Sequence, residues 1–400
     1  MAIQVKPGEN LFTSQVAGGC TDFAINLYQA ILLESPKQNI FFSPVNIALS
    51  LGMTLAGAKN KTAEQIRNAL GLSSLAEDEI HHGFRELLLV LKKEEEGNLT
   101  LQLENRIFAQ TGMNIQSSYS SALEMFYDSD LGSVDFQKDP SGCTSHINSW
   151  VEKATKGKIS DLITEGLITS LTRMVLTSAI YFKKKWAQEF AKEATHRKLF
   201  YISEDETVNV HMMYQKHSFR YGVSEELSCS ALELPYENGF VSMVILLPHA
   251  IEGLGVLEKS LSINAIKELI KNMVKGNVHV WLPKFRLEEK LSMKKQLTRI
   301  GIEDMFQDEK ADLSGITGQQ DLFVGAVVHK SFVDVSEEGT EAAAATGIVL
   351  QKRSLPIREV AEFKADHPFL FLILENKYKS VLFMGAFKNP PVSDQVEGER

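Results

Sequence analysis

Glu337-Glu338-Gly339-Thr340-Glu341-Ala342-Ala343-Ala344-Ala345-Thr346-Gly347-Ile348-Val349-Leu350-Gln351-Lys352-Arg353-Ser354-Leu355-Pro356 is the stretch whose reading decides the fold. It begins as the tail of a strand pattern in Phe332, Val333 and Val335, and then its side chains shrink to Gly, Thr and Ala. Alanine-rich sequence favours helix, so a solvated Ala-rich surface helix is one reading. Period two fits at least as well. Thr340, Ala342, Ala344, Thr346, Ile348 and Leu350 form one face without charge, while Glu341 sits on the other with Ala343, Ala345, Gly347, Val349 and Gln351. One face could be buried in a sheet, yet nothing on it is bulky enough to hold the segment there at once. Lys352-Arg353-Ser354 closes the stretch with a bond that a trypsin-like protease would cut.

The 400 residues exceed the usual size of a single core, and at 44% hydrophobic and 23% charged they match an ordinary soluble globular protein. A net charge of -9 argues against nucleic acid or an anionic membrane as the main partner. The short basic clusters Lys183-Lys184-Lys185 and Lys92-Lys93 read as solvated faces. Cys20, Cys143 and Cys229 are too few and too scattered for a disulfide framework or a metal site. The N-terminal residues lack the apolar core of a signal peptide, and no run reaches the length of a membrane span. A cytoplasmic or leaderless secreted protein is expected. The sequons at Asn60 and Asn98 keep export open.

Helices crowd the first third of the chain. The patterns predict them over about 21–33, after Ser43-Pro44, and over about 62–70, 76–93, 118–126 and 141–155. Ser43 reads as an N-cap with Pro44 as the first helical residue, and the helix that follows is apolar nearly all round. Residues 174–182 form an almost unbroken apolar run, as expected of a strand covered on both faces. Strands are predicted over 208–213, 231–234, 241–247, 278–285, 326–335, 369–375 and 381–387, interrupted by helices over about 263–273 and 292–300. With no repeat and no Gly/Ser linker, this is an α+β chain around one continuous core, a single domain over 1–400.

Catalytic constellations are missing. Gly222-Val223-Ser224-Glu225-Glu226 lacks the last glycine of a nucleophile elbow, and Gly253-Leu254-Gly255 lacks the third glycine of a dinucleotide loop. No histidine pair has metal spacing, and Glu94-Glu95-Glu96 reads as a solvated turn. No catalytic residue, metal or cofactor is predicted.

Several stretches together resemble the serpin family, from Phe23 to Pro390. They are Asn39-Ile40-Phe41-Phe42-Ser43-Pro44, Ala179-Ile180-Tyr181-Phe182-Lys183 with Trp186, Leu232-Glu233-Leu234-Pro235-Tyr236, and Ser242-Met243-Val244-Ile245-Leu246-Leu247-Pro248. Ala311-Asp312-Leu313-Ser314-Gly315-Ile316, His329-Lys330, Glu338-Gly339-Thr340-Glu341-Ala342-Ala343-Ala344 and Ala365-Asp366-His367-Pro368-Phe369-Leu370-Phe371 complete the set. Each is weak alone, and their order and spacing make the set specific. The missing signal peptide and the Ala-Asp-His-Pro-Phe variant look most like the ovalbumin-type, leaderless branch. The resemblance implies three β-sheets, about nine helices and an exposed reactive-centre loop over about 337–358. The tail 391–400 runs past the family's usual end and is expected to be disordered.

By the family's spacing the primary-specificity residue is Arg353 and the scissile bond Arg353–Ser354, a pair resembling that of antithrombin. Gln351, Lys352 and Leu355 would flank it in the protease subsites, with Lys352 as the weaker alternative register. The hinge would be Glu338, Gly339, Thr340, Glu341, Ala342, Ala343, Ala344, Ala345 and Thr346. In the family's inhibitors the acylated loop inserts into the central sheet as a new strand, and strand insertion of this kind is a general route to strand addition and release of strain. A charge or proline on the inserted face would have to be buried or would delete a ladder bond, and this face has neither.

The family's polar cluster under the sheet maps to Ser43, Asn46, Ser178 and His329. Asn46 stands where the family generally has Ser, and Ser178 where it has Asn, which reads as a compensated exchange. The family's ion pair at the top of the sheet maps to Lys284 and Glu337 beside Trp186. Ala386 replaces a usually basic residue. Residues 84–93 hold too few cations for strong glycosaminoglycan activation. The resemblance thus implies a monomeric suicide-substrate inhibitor of a trypsin-like serine protease, which it would trap covalently. A non-inhibitory relative acting as chaperone or carrier, and a hydrolase with an unrecognised site, are the alternatives.

Overall fold

The computed structural model describes residues 9–95, 100–340 and 360–390. Its helices are α1 (Glu9–Leu32), α2 (Pro44–Leu55), α3 (Asn60–Ala69), α4 (Glu77–Glu95), α5 (Ser117–Tyr127), α6 (Pro140–Ala154), α7 (Leu254–Ser260), α8 (Ile263–Asn272), α9 (Lys294–Arg299) and α10 (Ser314–Thr317). The strands are β1 (Ile40–Phe42), β2 (Thr100–Gln110), β3 (Leu131–Val134), β4 (Met174–Lys185), β5 (His196–Tyr201), β6 (Thr207–Ser224), β7 (Cys229–Pro235) and β8 (Val241–Pro248). They continue with β9 (Val274–Pro283), β10 (Phe285–Ser292), β11 (Ala326–Ser336), β12 (Gly339–Thr340), β13 (Ala361–Lys364), β14 (Phe369–Glu375) and β15 (Val381–Phe387).

Local chemistry accounts for several of these. Ser43 caps α2 through its hydroxyl, which accepts from the Asn46 N–H, and Pro44 opens the helix. Every residue of α2 is buried, so it runs through the interior. The helix expected from residue 21 starts twelve residues earlier, at Glu9. Gly18 and Gly19 lie inside the added turns, although glycine weakens a helix. At Gly19 a Cβ would lie 2.4 Å from the Leu70 carbonyl oxygen, so the glycine admits a close helix–helix approach.

A six-stranded sheet runs β10-β11-β12-β4-β2-β3, with β11 also paired directly and in parallel with β4. Its β4 shows why the apolar run is unbroken. Ile180 and Phe182 face the core between the sheets, while Ala179 and Tyr181 face a smaller cluster with Ile147 and Val151 of α6.

A nine-stranded sheet runs β1-β15-β14-β8-β7-β6-β9-β13, with β5 on β6. Two sheets among the described residues replace the three expected. The reason is β6, whose 18 residues pair first with β5, then with β9 and finally with β7, carrying one ladder through what would otherwise be a sheet boundary. Among the described residues there are ten helices, in keeping with the expectation of about nine, the shortest being α10 with 4 residues.

Candidate functional site

Two places in the six-stranded sheet bring together residues from distant parts of the chain. The first is its upper end, where β12 is wedged between β11 and β4. Gly339 pairs with Ser336 and Lys185, and Thr340 with Val335 and Lys184. Below the wedge, β11 and β4 pair directly from Phe332–Tyr181 down to Ala326–Val175. The sheet is therefore forked at the top and closed beneath.

Only glycine fits the fork. Gly339 has φ +142°, and a Cβ there would lie 2.2 Å from the Lys184 carbonyl oxygen. Thr340 is fully buried, and its hydroxyl lies 3.1 Å from the Tyr236 hydroxyl. Trp186 stacks on Tyr236 with ring centroids 4.3 Å apart, and its indole N–H donates to the Ser336 carbonyl at 2.9 Å.

Ion pairs pin the turn between β11 and β12. Glu337 takes the Lys284 ammonium at 2.9 Å and the Thr195 hydroxyl at 2.9 Å. Burial, the largest single influence, works against the Glu337 carboxylate, yet the bonds from Lys284, Thr195 and the backbone, with the Lys284 charge, together outweigh it and hold the carboxyl below its ordinary range. Lys192 reaches Glu338 at 2.7 Å. The backbone N–H groups of Phe190 and Trp186 donate to the carbonyls of Glu337 and Glu338. Residues 337–340 were expected to open an exposed loop. They are buried instead, held by the sheet edge, the aromatic stack and two lysines, with Glu338 Oε2 left without a hydrogen-bond partner among the described residues.

The second place lies under the middle of the sheet. Cross-strand register aligns Asn105 of β2, Ser178 of β4 and His329 of β11 in one row. Beneath them α2 supplies Ser43, Asn46 and Ser50. The Ser43 backbone N–H donates to His329 Nε2 at 3.0 Å. That nitrogen must hold the lone pair, so Nδ1–H donates to Ser178 Oγ at 2.9 Å. The Asn46 carboxamide donates to Ser178 Oγ at 2.9 Å and to the Ala179 carbonyl at 3.1 Å, and it accepts from Asn105 Nδ2. Asn46 therefore points toward the strand partners from the helix side.

Burial of His329 drops its pKa to about 3 and keeps the ring neutral, since a second N–H would face the Ser43 donor. An unfolded chain takes up that proton below pH about 6.5. The stabilisation is therefore fully present above that pH and is lost as pH falls toward 3. The expected slope is about 1.4 kcal/mol per pH unit from this group alone. His81, buried and lowered to about 4, adds to it below pH about 6.5. Urea unfolding of wild type and His329→Gln between pH 7 and 4 checks this. An unchanged slope in the variant would refute the assignment.

The sequence reading named all of Ser43, Asn46, Ser178, His329, Trp186, Lys284 and Glu337, and these fall into the two clusters described. It missed Asn105, Lys192, Thr195 and Tyr236. Tyr236 ends the Leu232-Glu233-Leu234-Pro235-Tyr236 motif, whereas Asn105, Lys192 and Thr195 carry no local signal. Glu341, Ala342, Ala343, Ala344, Ala345, Thr346, Gln351, Lys352, Arg353, Ser354 and Leu355, and the tail 391–400, lie outside the described residues. Among the described residues no group of His, Cys, Asp and Glu could hold a metal ion, and no helix is long and apolar enough to cross a membrane. All three cysteines are buried and free, with burial pushing Cys20 and Cys229 up to about 12.

Comparison with known proteins agrees with this architecture. The family model described as serpin (serine protease inhibitor) matches residues 19–390. The leukocyte elastase inhibitor of Equus caballus is 40% identical over 94% of this chain and 100% of its own length. Leukocyte elastase inhibitor A of Mus musculus is 41% identical over the same shares. Among solved structures, Serpin48 of the insect Tenebrio molitor superposes with TM-score 0.85 at 33% identity, covering 94% of this chain and 98% of that one. Human thyroxine-binding globulin does so with TM-score 0.86 at 31% identity, over 95% and 99%. Agreement over nearly the whole chain, with the forked sheet, makes this molecule a member of the serpin family, a non-catalytic protein of the protease-inhibitor type.

Proposed function

We propose that the chain inhibits trypsin-like serine proteases as a suicide substrate, cleaved at Arg353–Ser354 and then inserted into the six-stranded sheet. The observation that carries this reading is the seat of Gly339 and Thr340 between β11 and β4, the first rung of a strand that can lengthen downward. Thr340 faces inward, toward Tyr236. In a β-strand alternate residues share a face, so Ala342, Ala344 and Thr346 would follow it into the core, and all are small and uncharged.

Continuing both registers by six residues would bring Thr346 between Ser178 and His329. Insertion must open that pair by one strand spacing, about 4.8 Å, which breaks the 2.9 Å bond between them. Thr346 would then offer a hydroxyl to the two groups left apart, while Ala342 would come between Phe182 and Val333, and Ala344 between Ile180 and Ser331, whose hydroxyl is already bonded to the Phe41 carbonyl. The polar residue comes at the polar row. This supports the hinge reading of residues 338–346, and the exchange of Asn46 and Ser178 as a compensated one with the carboxamide supplied by α2.

Specificity rests on Arg353. A trypsin-like pocket has an acid at its base, which an extended guanidinium meets with a charge-assisted bond. The relatives are named for elastase, whose pocket is small, so the target is expected to differ from theirs. The partner is the protease itself, with no cofactor.

Incubation with trypsin tests the reading. An SDS-stable adduct, and cleaved inhibitor that resists heat better than the intact chain, are expected. Clean cleavage after Arg353 with no adduct would turn the reading into that of a non-inhibitory carrier.

A further inference from the structure

The end of the molecule remote from the fork carries a groove that this mechanism does not use. It has a volume of about 820 Å³ and lies between the end of α1 with Glu34 and Ser35, the end of β10, and α9. Four cations line it, Lys290, Lys294, Lys295 and Arg299, in a chain whose net charge is -9. Glu34 is the one carboxylate in the lining, and it is already engaged by Arg299 at 3.0 Å and by the Gln296 amide at 2.9 Å. Lys290 donates to the Asp161 carbonyl at 3.1 Å, and the Lys294 ammonium lies 5.5 Å from the Phe306 ring. Among the described residues no carboxylate pairs with Lys294 or Lys295. Gln296 is 5% exposed, and no donor among the described residues reaches its Oε1.

The chain leaves the described core beside this groove. The Asn39 side chain accepts from the backbone N–H groups of Lys388 and Asn389 at 2.7 and 2.9 Å, and Asn389 donates to the Lys37 carbonyl. Lys37 is two residues from Ser35, which lines the groove. Residues 391–400 follow, with Asp394, Glu397 and Glu399 against Arg400. Ten extended residues span up to roughly 33 Å, so the groove is within easy reach. A tether this short gives the acidic segment an effective concentration on the order of millimolar at the groove.

We propose that residues 391–400 dock in the groove between α1 and α9. Their carboxylates pair with Lys290, Lys294 and Lys295, and a main-chain or amide N–H reaches Gln296 Oε1. The partner of this surface is the chain's own acidic segment.

Carbodiimide cross-linking of the full-length protein at low salt, read by peptide mass spectrometry, tests it. Links from Asp394, Glu397 or Glu399 to lysines 290, 294 and 295 are expected. They should weaken as added salt screens the charges, fall at lysine 290 in K294E/K295E, where the tail meets like charge, and appear at the exchanged positions when Asp394 and Glu397 are also replaced by lysine. Links scattered over lysines elsewhere would overturn the proposal. So would links between labelled and unlabelled molecules in a mixture, which would mean a second copy supplies the tail. Deleting 391–400 should raise amide exchange in α9 by roughly threefold or more. Exchange that ignores the deletion but falls with added pyrophosphate would assign the groove to an external anion and overturn the assignment to the tail.

Discussion

Thr346→Arg is expected to convert the protein from an inhibitor into a substrate, cutting the fraction of trypsin trapped by at least about tenfold. On the proposed insertion, register continued from Thr340 would bring residue 346 into the buried row with Ser178 and His329. Nothing described in that row is an acid: its groups are hydroxyls, carboxamides and a neutral imidazole. An unpaired buried charge costs several kcal/mol, and each 1.4 kcal/mol of barrier slows insertion about tenfold. Hydrolysis of the acyl-enzyme then wins the race. The charge reaches the row only after cleavage, so the intact variant should unfold in urea like wild type, and Thr346→Ser should still trap. Gel densitometry of adduct against cleaved chain reads the partition. An undiminished adduct band in the arginine variant would show that residue 346 never enters the sheet.

Arg353→Leu is expected to slow association with trypsin by roughly 10²- to 10³-fold. A buried acid that loses its partner costs on the order of 3–5 kcal/mol, and most of that loss falls on the encounter in which the pocket is filled. Progress curves with excess inhibitor measure the rate. If Lys352→Leu produces the loss and Arg353→Leu does not, the reactive bond lies one residue earlier. Arg353→Val tests the same idea from the other side, since a small side chain suits the small pocket of an elastase.

Much of this was legible before any coordinates. The cap at Ser43, the doubly covered strand at residues 174–182, and β14 and β15 to the residue all follow from patterns of a few neighbours. Other elements were silent. Four of the six residues of β5 are exposed, so its sequence shows no buried face. In β10 charged Arg286, Glu288 and Lys290 alternate with Phe285, Leu287 and the half-exposed Glu289, and the strand expected over 278–285 reaches only its first residue. Only the start of β6, over 208–213, is visible as a strand, because its later residues are mostly half-buried against β9 and β7. Asn105, Lys192 and Thr195 share this character: each matters for what comes to face it across the fold.

By itself, the order of residues determined the cap at Ser43, the small uncharged face from Thr340 to Thr346, and the basic pair Lys352-Arg353 on which the proposed specificity rests. Those properties are local, set by side-chain size, charge and period within one segment. Tertiary structure alone decided that β11 and β4 are direct neighbours below a two-residue wedge, and that Asn105, Ser178 and His329 stand in one row over α2. Strand register between segments distant in the chain follows from how whole faces fill a shared core, and no single segment carries that information.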